Sequence, residues 1–277
     1  MNRLATLAAC IAFPLMAQST TIQPTTPGPS AETRAFALKD GGRLKVENIN
    51  GIIEVSAWDK NEVELVAKFK PSSNDGRHMR LDVKSDADSF ELVASYPKNP
   101  EDNSDSKERR RNQSCDIVLS VPRHVQASLK TANGGIAVNG TNGETTLETN
   151  NGSIAINDTK GKLVANTTNG SISLNGASGY ARASTVNGSI SGSLDGADGL
   201  DLSTVNGSIK IKLLNPNGTL EARTMNGSVK LNAPVAKDAN TKKNYASARF
   251  GDGNAKMSLE TVNGSVVIDL GQRWRHL

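Results

Sequence analysis

Histidine occurs three times in this chain, at His78, His124 and His276, and cysteine twice, at Cys10 and Cys115. Neither recurs at a metal-ligand spacing, so the sequence carries no metal-site signature. Aromatic residues make up 4% of the chain, which argues against a wide globular core. The same scarcity, with a net charge of only +4 and no basic stripe, speaks against a nucleic-acid partner. No apolar run of about 20 residues follows the N-terminal segment, so no transmembrane helix is expected. Gly-x-Ser-x-Gly and the Walker A pattern are both missing, and Gly251-Asp-Gly253 lacks the third glycine of a dinucleotide loop. The sequence therefore implies no cofactor, no metal and no catalytic residue.

Glycine and asparagine are what the chain has instead. Gly134, Gly143, Gly152, Gly161, Gly170, Gly179 and Gly188 stand in strict nine-residue step. Every second one closes a Thr-x-Asn-Gly motif: Asn133-Gly134, Asn151-Gly152, Asn169-Gly170 and Asn187-Gly188. The motif returns at Asn206-Gly207, Asn226-Gly227 and Asn263-Gly264, with successive glycine steps of 18, 18, 18, 19, 20 and 37 residues. A short fixed period of this kind denotes stacked coils, each too small to bury a core alone.

Around each motif the residues alternate, as in Leu147-Glu-Thr149 before the corner and Ile154-Ala-Ile156 after it. This is period-two patterning in short bursts, which predicts strands with one buried face. Asn-Gly also suits a type I′ hairpin, so an antiparallel meander is the alternative. A meander, however, has no reason to hold one motif at constant spacing. The expectation is an all-β chain forming a parallel β-solenoid of roughly 18–20 residues per coil, with like residues about 4.8 Å apart. The corner Asn and Thr, on the parity of the buried Leu, are expected to form structural ladders inside the coil, and Gly to make the corner. The Asn-x-Ser/Thr sequons are then by-products of those corners.

The first 17 residues combine Met1-Asn-Arg3 with an apolar run from Leu4 to Ala17, which reads as a secretory signal peptide cleaved near Ala17. Leu7-Ala-Ala-Cys10 offers a lipoprotein acylation site as the alternative. After cleavage Cys115 is the sole cysteine, a small strand residue or else an intermolecular pairing partner. Residues 18–34 are Ser/Thr/Pro-rich and read as an extended linker. The solenoid is expected over 35–271, with an irregular half (35–128) and regular Asn-Gly-Ser coils (129–270). A polar excursion carries Arg109 to Arg111, and an insertion of about Ala233 to Asn254 accounts for the long last step.

The segment from Asn50-Gly-Ile-Ile-Glu-Val to Trp58-Asp59, the Val121-Pro122 hinge and the serial Asn-Gly-Ser-Ile corners resemble the DUF4097 family over residues 35–270. That family is also called toastrack. The resemblance implies a β-solenoid of the bacterial cell envelope, described as a candidate adhesin, with no catalytic or ligand residues to carry over. Relatives tied to envelope-stress signalling often carry membrane helices, which this sequence lacks.

Chemistry and surface leave three readings. Calcium-binding nonapeptide rolls need an aspartate per turn, where Ile136, Ile154 and Ile172 stand instead. A carbohydrate-active β-helix enzyme needs clustered acids, for which Asp195, Asp198 and Asp201 are the tightest group. The expected role is a non-catalytic binding or scaffolding surface for an envelope glycan or protein partner. A purely structural envelope role is a further alternative. The residue between Thr and Asn should point outward; it is Ala132, Asn150 and Thr168 at first, then Val186, Val205, Met225 and Val262. Those four form a candidate partner or self-association surface.

Overall fold

The structure is a computed structural model describing residues 17–24, 29–70, 79–96, 113–233 and 236–271. Cys10 and the rest of residues 1–16, His78, His276 and Arg109 to Arg111 lie outside the described residues. Among the described residues there is no helix, and the chain is all-β, with 22 strands linked in one sheet. The first eight are β1 (Gln18–Ile22), β2 (Ser30–Ala37), β3 (Arg43–Asn50), β4 (Ile53–Trp58), β5 (Glu62–Lys70), β6 (Arg80–Ser85), β7 (Ser89–Ser95) and β8 (Ser114–Pro122). The corners follow with β9 (Gln126–Asn133), β10 (Ile136–Asn139), β11 (Thr145–Asn151), β12 (Ile154–Asn157), β13 (Leu163–Asn169), β14 (Ile172–Asn187) and β15 (Ile190–Asn206). The last seven are β16 (Ile209–Leu214), β17 (Gly218–Asn226), β18 (Val229–Asn232), β19 (Lys237–Lys242), β20 (Tyr245–Phe250), β21 (Ala255–Asn263) and β22 (Val266–Gly271).

Alternation sets the register. In β9 and β11 the Leu and Thr side chains are buried and their neighbours face out. Ile136 pairs with Ile154, Ile154 with Ile172 and Ile172 with Ile190, all parallel. On the other side of each corner Thr131 pairs with Thr149, Thr149 with Thr167 and Thr167 with Thr185. Like residues thus stack directly, and a one-residue slip would turn every Leu and Ile to water. Branched aliphatics fit such half-buried pleats well. One continuous apolar cluster results, and its aromatic members, Phe36, Phe69, Phe90 and Phe250, all sit in the terminal layers. Phe36 meets Phe90 edge-on, with centroids 5.2 Å apart. The regular layers contain none, which is why so few aromatics suffice.

The sheet is not parallel throughout, which corrects the uniform parallel stack expected. β1–β6, β6–β7, β2–β5, β5–β8, β17–β20 and β19–β20 are antiparallel. These pairs lie at the two ends, where a bare parallel edge would otherwise be left open to association. Residues 18–34 are corrected as well: β1 and the first part of β2 lie within the stretch expected to be a linker, and both are edge strands.

Layers also depart from chain order. β21 lies between β15 and β17, and β22 between β16 and β18. The chain therefore leaves a gap one layer wide after β15–β16, builds the outer layer with β17–β18, covers it with the β19–β20 hairpin, and returns to fill the gap. At the other end β3 lies between β7 and β9, and β4 between β8 and β10. At this end the outermost strands, β1 and β2, are the first of the described chain, whereas at the other end the last strands, β21 and β22, lie inside the stack.

Candidate functional site

Four kinds of hydrogen bond join the corners from layer to layer. The Thr hydroxyl donates to the Gly carbonyl one layer back, at 2.9 Å for Thr149, Thr167 and Thr185 and 2.8 Å for Thr204, Thr261 and Thr224. The Asn amide donates to the Asn oxygen one layer back, from Asn133 onto Asn50 and then through Asn151, Asn169, Asn187, Asn206, Asn263 and Asn226, at 2.8–2.9 Å. Serine backbone amides after the glycine donate to the preceding layer's Ser hydroxyl at 3.2–3.3 Å. Backbone amides of the corner glycines other than Gly227 donate onward to the next Asn carbonyl. All seven corner threonines are buried. The seven asparagines are exposed, which corrects the expectation of amides inside the coil. Asn is the last residue of its strand, next to the glycine that makes the corner, and there its side chain faces water although it shares the parity of the buried Thr.

Glycine is fixed by close approach. A Cβ on Gly170 would lie 2.0 Å from the Gly152 carbonyl oxygen, and Gly152, Gly188 and Gly207 are equally tight against their own neighbours. The nearest atoms are all backbone of the preceding layer, so no flexible side chain can yield.

The residue between Thr and Asn points outward. Val186 and Val205 are 41% and 40% exposed, Met225 is 72% exposed, and Val262 is half-buried. Because β21 is inserted, the spatial order is Val186, Val205, Val262, Met225, the last at the end of the stack. Ile49 begins the same row at the opposite end, paired through its strand with Ala132. Beside the row runs a second one of Ser184, Ser203, Glu260 and Arg223, and the two enclose a shallow groove of about 540 Å³. Arg223 pairs with Glu221 and lies 5.7 Å from the Tyr245 ring centre. Pattern reading missed Ile49, whose motif is Asn48-Ile49-Asn50-Gly51, lacking the threonine. It also missed a second asparagine ladder, Asn139, Asn157 and Asn175, bonded at 2.8 and 3.2 Å. Its 18-residue step was visible in the sequence.

The acidic residues do not converge on one acid pair. Asp195 accepts from Asn215 at 3.0 Å and Asp201 pairs with Arg182 at 3.4 Å, while Asp198 is exposed. His124 is exposed and bonds Asp40 through Nδ1 at 2.9 Å. Cys115 is fully buried, and burial, with the Asp116 charge beside it, pushes its thiol up to about 12. An intermolecular disulfide there would require opening the fold. No group of three potential metal ligands occurs among the described residues, and no helix among them is long and apolar enough to cross a membrane.

A family model described as Toastrack DUF4097 matches residues 43–269. Solved structures similar at low identity include the following three. A candidate cell adhesion protein from Clostridium sporogenes is 12% identical, with a TM-score of 0.32 over 88% of this chain and 100% of its own. A candidate adhesin from Bacteroides fragilis is 11% identical, with a TM-score of 0.36 over 87% and 98%. A candidate lipid binding protein from Parabacteroides distasonis is 13% identical, with a TM-score of 0.26 over 88% and 97%. Scores this low transfer neither ligand nor partner. No curated protein matches the sequence significantly.

Proposed function

The chain belongs to the toastrack DUF4097 family, and from that premise we propose that it is an exported, non-catalytic β-solenoid of the cell envelope that holds an extended protein partner. The observation that carries this reading is the outward apolar row of Val186, Val205, Val262 and Met225 in consecutive layers. A layer repeat of about 4.8 Å suits a linear ligand lying along the stack. The groove is apolar along the row and polar on one side, with Arg223 and Glu260 at the far end. A polypeptide supplies matching apolar side chains and polar backbone groups. A glycan would call for aromatic platforms, and none lines this groove. Purely structural packing would not require an apolar row to face water.

Val186→Asp with Val205→Asp tests the reading. Affinity capture from the envelope fraction, run in parallel with wild type and double variant, should show a protease-sensitive partner lost from the variant alone. The melting temperatures should stay nearly equal, because these side chains contribute little to the core. Equal retention by both forms rules out the groove. A large fall in melting temperature shows the row to be core, and glycosidase-sensitive retention replaces the polypeptide by a glycan.

A further inference from the structure

Every corner places Gly directly after Asn, the dipeptide in which the glycine amide nitrogen most readily attacks the asparagine carboxamide. Attack bonds the Gly nitrogen to the Asn Cγ and expels the side-chain nitrogen as ammonia, leaving a succinimide ring. Water opens the ring to aspartate or isoaspartate, so the reaction needs nothing but water. Stacked corners oppose it twice. The Gly amide already donates to the next layer, as from Gly134 to Asn151 at 2.9 Å, Gly170 to Asn187 at 3.0 Å and Gly264 to Asn226 at 3.1 Å. The carboxamide is held at both ends, as where Asn169 donates to Asn151 at 2.9 Å and accepts from Asn187 at 2.8 Å. Even the first rung is closed: Asn50 accepts from Asn133 and donates to the Tyr96 hydroxyl and the Gln113 carbonyl.

The last layer lacks the first restraint and half of the second, since Asn226 still donates to Asn263 at 2.9 Å. No further layer follows β17–β18, and among the described residues the Gly227 amide finds no acceptor and Asn226 Oδ1 no donor. The covering hairpin bonds on either side of this corner, taking the Thr224 amide on the Asn244 carbonyl and the Val229 amide on the Lys243 carbonyl. It spans the corner without closing it. We propose that Asn226-Gly227 is a site of spontaneous deamidation, the one open rung of an otherwise protected ladder. Conversion places a carboxylate next to Met225 and removes the amide that Asn226 donates to Asn263. The inference stands whether or not the neighbouring groove binds a partner.

The test is peptide mapping by mass spectrometry after incubating the full-length protein in mildly alkaline buffer, native and in urea. In the native protein Asn226 should convert at least about tenfold faster than Asn169 or Asn187, the factor expected from two missing hydrogen bonds. In urea the three rates should converge. Equal native rates would overturn the proposal. So would a difference that persists in urea, which would assign it to the local sequence rather than to the open rung.

Discussion

Asn169 and Gly170 are adjacent in one corner but do different work. Replacing Gly170 with Ala forces a Cβ to within 2.0 Å of the Gly152 carbonyl oxygen, and only a separation of the layers relieves it. The cost should reach or exceed the roughly 1–3 kcal/mol of ordinary overpacking. Asn169→Leu removes two side-chain hydrogen bonds, but at an exposed position where water can satisfy Asn151 and Asn187. Its cost should be about 1 kcal/mol, near the net value of a single bond. Urea unfolding of the two variants checks the order; an Asn169→Leu loss as large as that of Gly170→Ala would make the amides the principal brace. The residues that compose the motif were legible in the sequence. It did not show that Asn faces water, because strand parity fails at the last residue of the strand, where the corner begins.

At the level of the element, the β6–β7 hairpin is closed by a single carboxylate. Asp86 Oδ1 accepts the amides of Asp88 at 2.8 Å and Ser89 at 2.7 Å. The Asp88 amide bond is the main reason its pKa lies below the ordinary aspartate value. A depressed folded-state value means the stabilisation is present above the unfolded aspartate pKa and is lost as pH falls through the folded one. Amide exchange at Asp88 and Ser89, corrected for intrinsic rate, should therefore lose protection in that acidic window, whereas Asp86→Asn keeps an acceptor and should show no such transition. An identical acid response in both proteins would remove Asp86 as the cause. Core strands were legible where the alternation is complete, as in β5 with Val63, Leu65, Ala67 and Phe69, or where a single buried Leu leads into the corner motif, as in β11 with Leu147 before Thr149. β1 and β2 were not. An edge strand buries little, here Ile22 in one and Phe36 in the other, so its composition resembles a linker.

For the whole molecule, the layer order is the property that local sequence could not disclose. Each Thr-x-Asn-Gly corner presents the same donors and acceptors, so the motif gives the number of rungs without saying which rung adjoins which. The pairing of Thr204 and Thr224 with Thr261 shows the outcome: the chain's final corner is an inner layer. In a stack built in chain order, C-terminal truncation would strip only the end. Removing residues 255–277 here takes out β21 and β22 from between two layers. β17 would lose its parallel partner and the β17–β20 unit its strand-pairing, among the described residues, to the body of the stack. Nearest-neighbour contacts dominate the stability of stacked layers, so hydrogen exchange should show protection lost across 218–250 while β9 to β13 stay protected. Retained protection at 218–250 would mean that the Thr224 corner had docked directly onto Thr204. The corners would then be interchangeable in fact as well as in chemistry, and the returning C-terminal layer would be a choice of chain length rather than of side-chain fit.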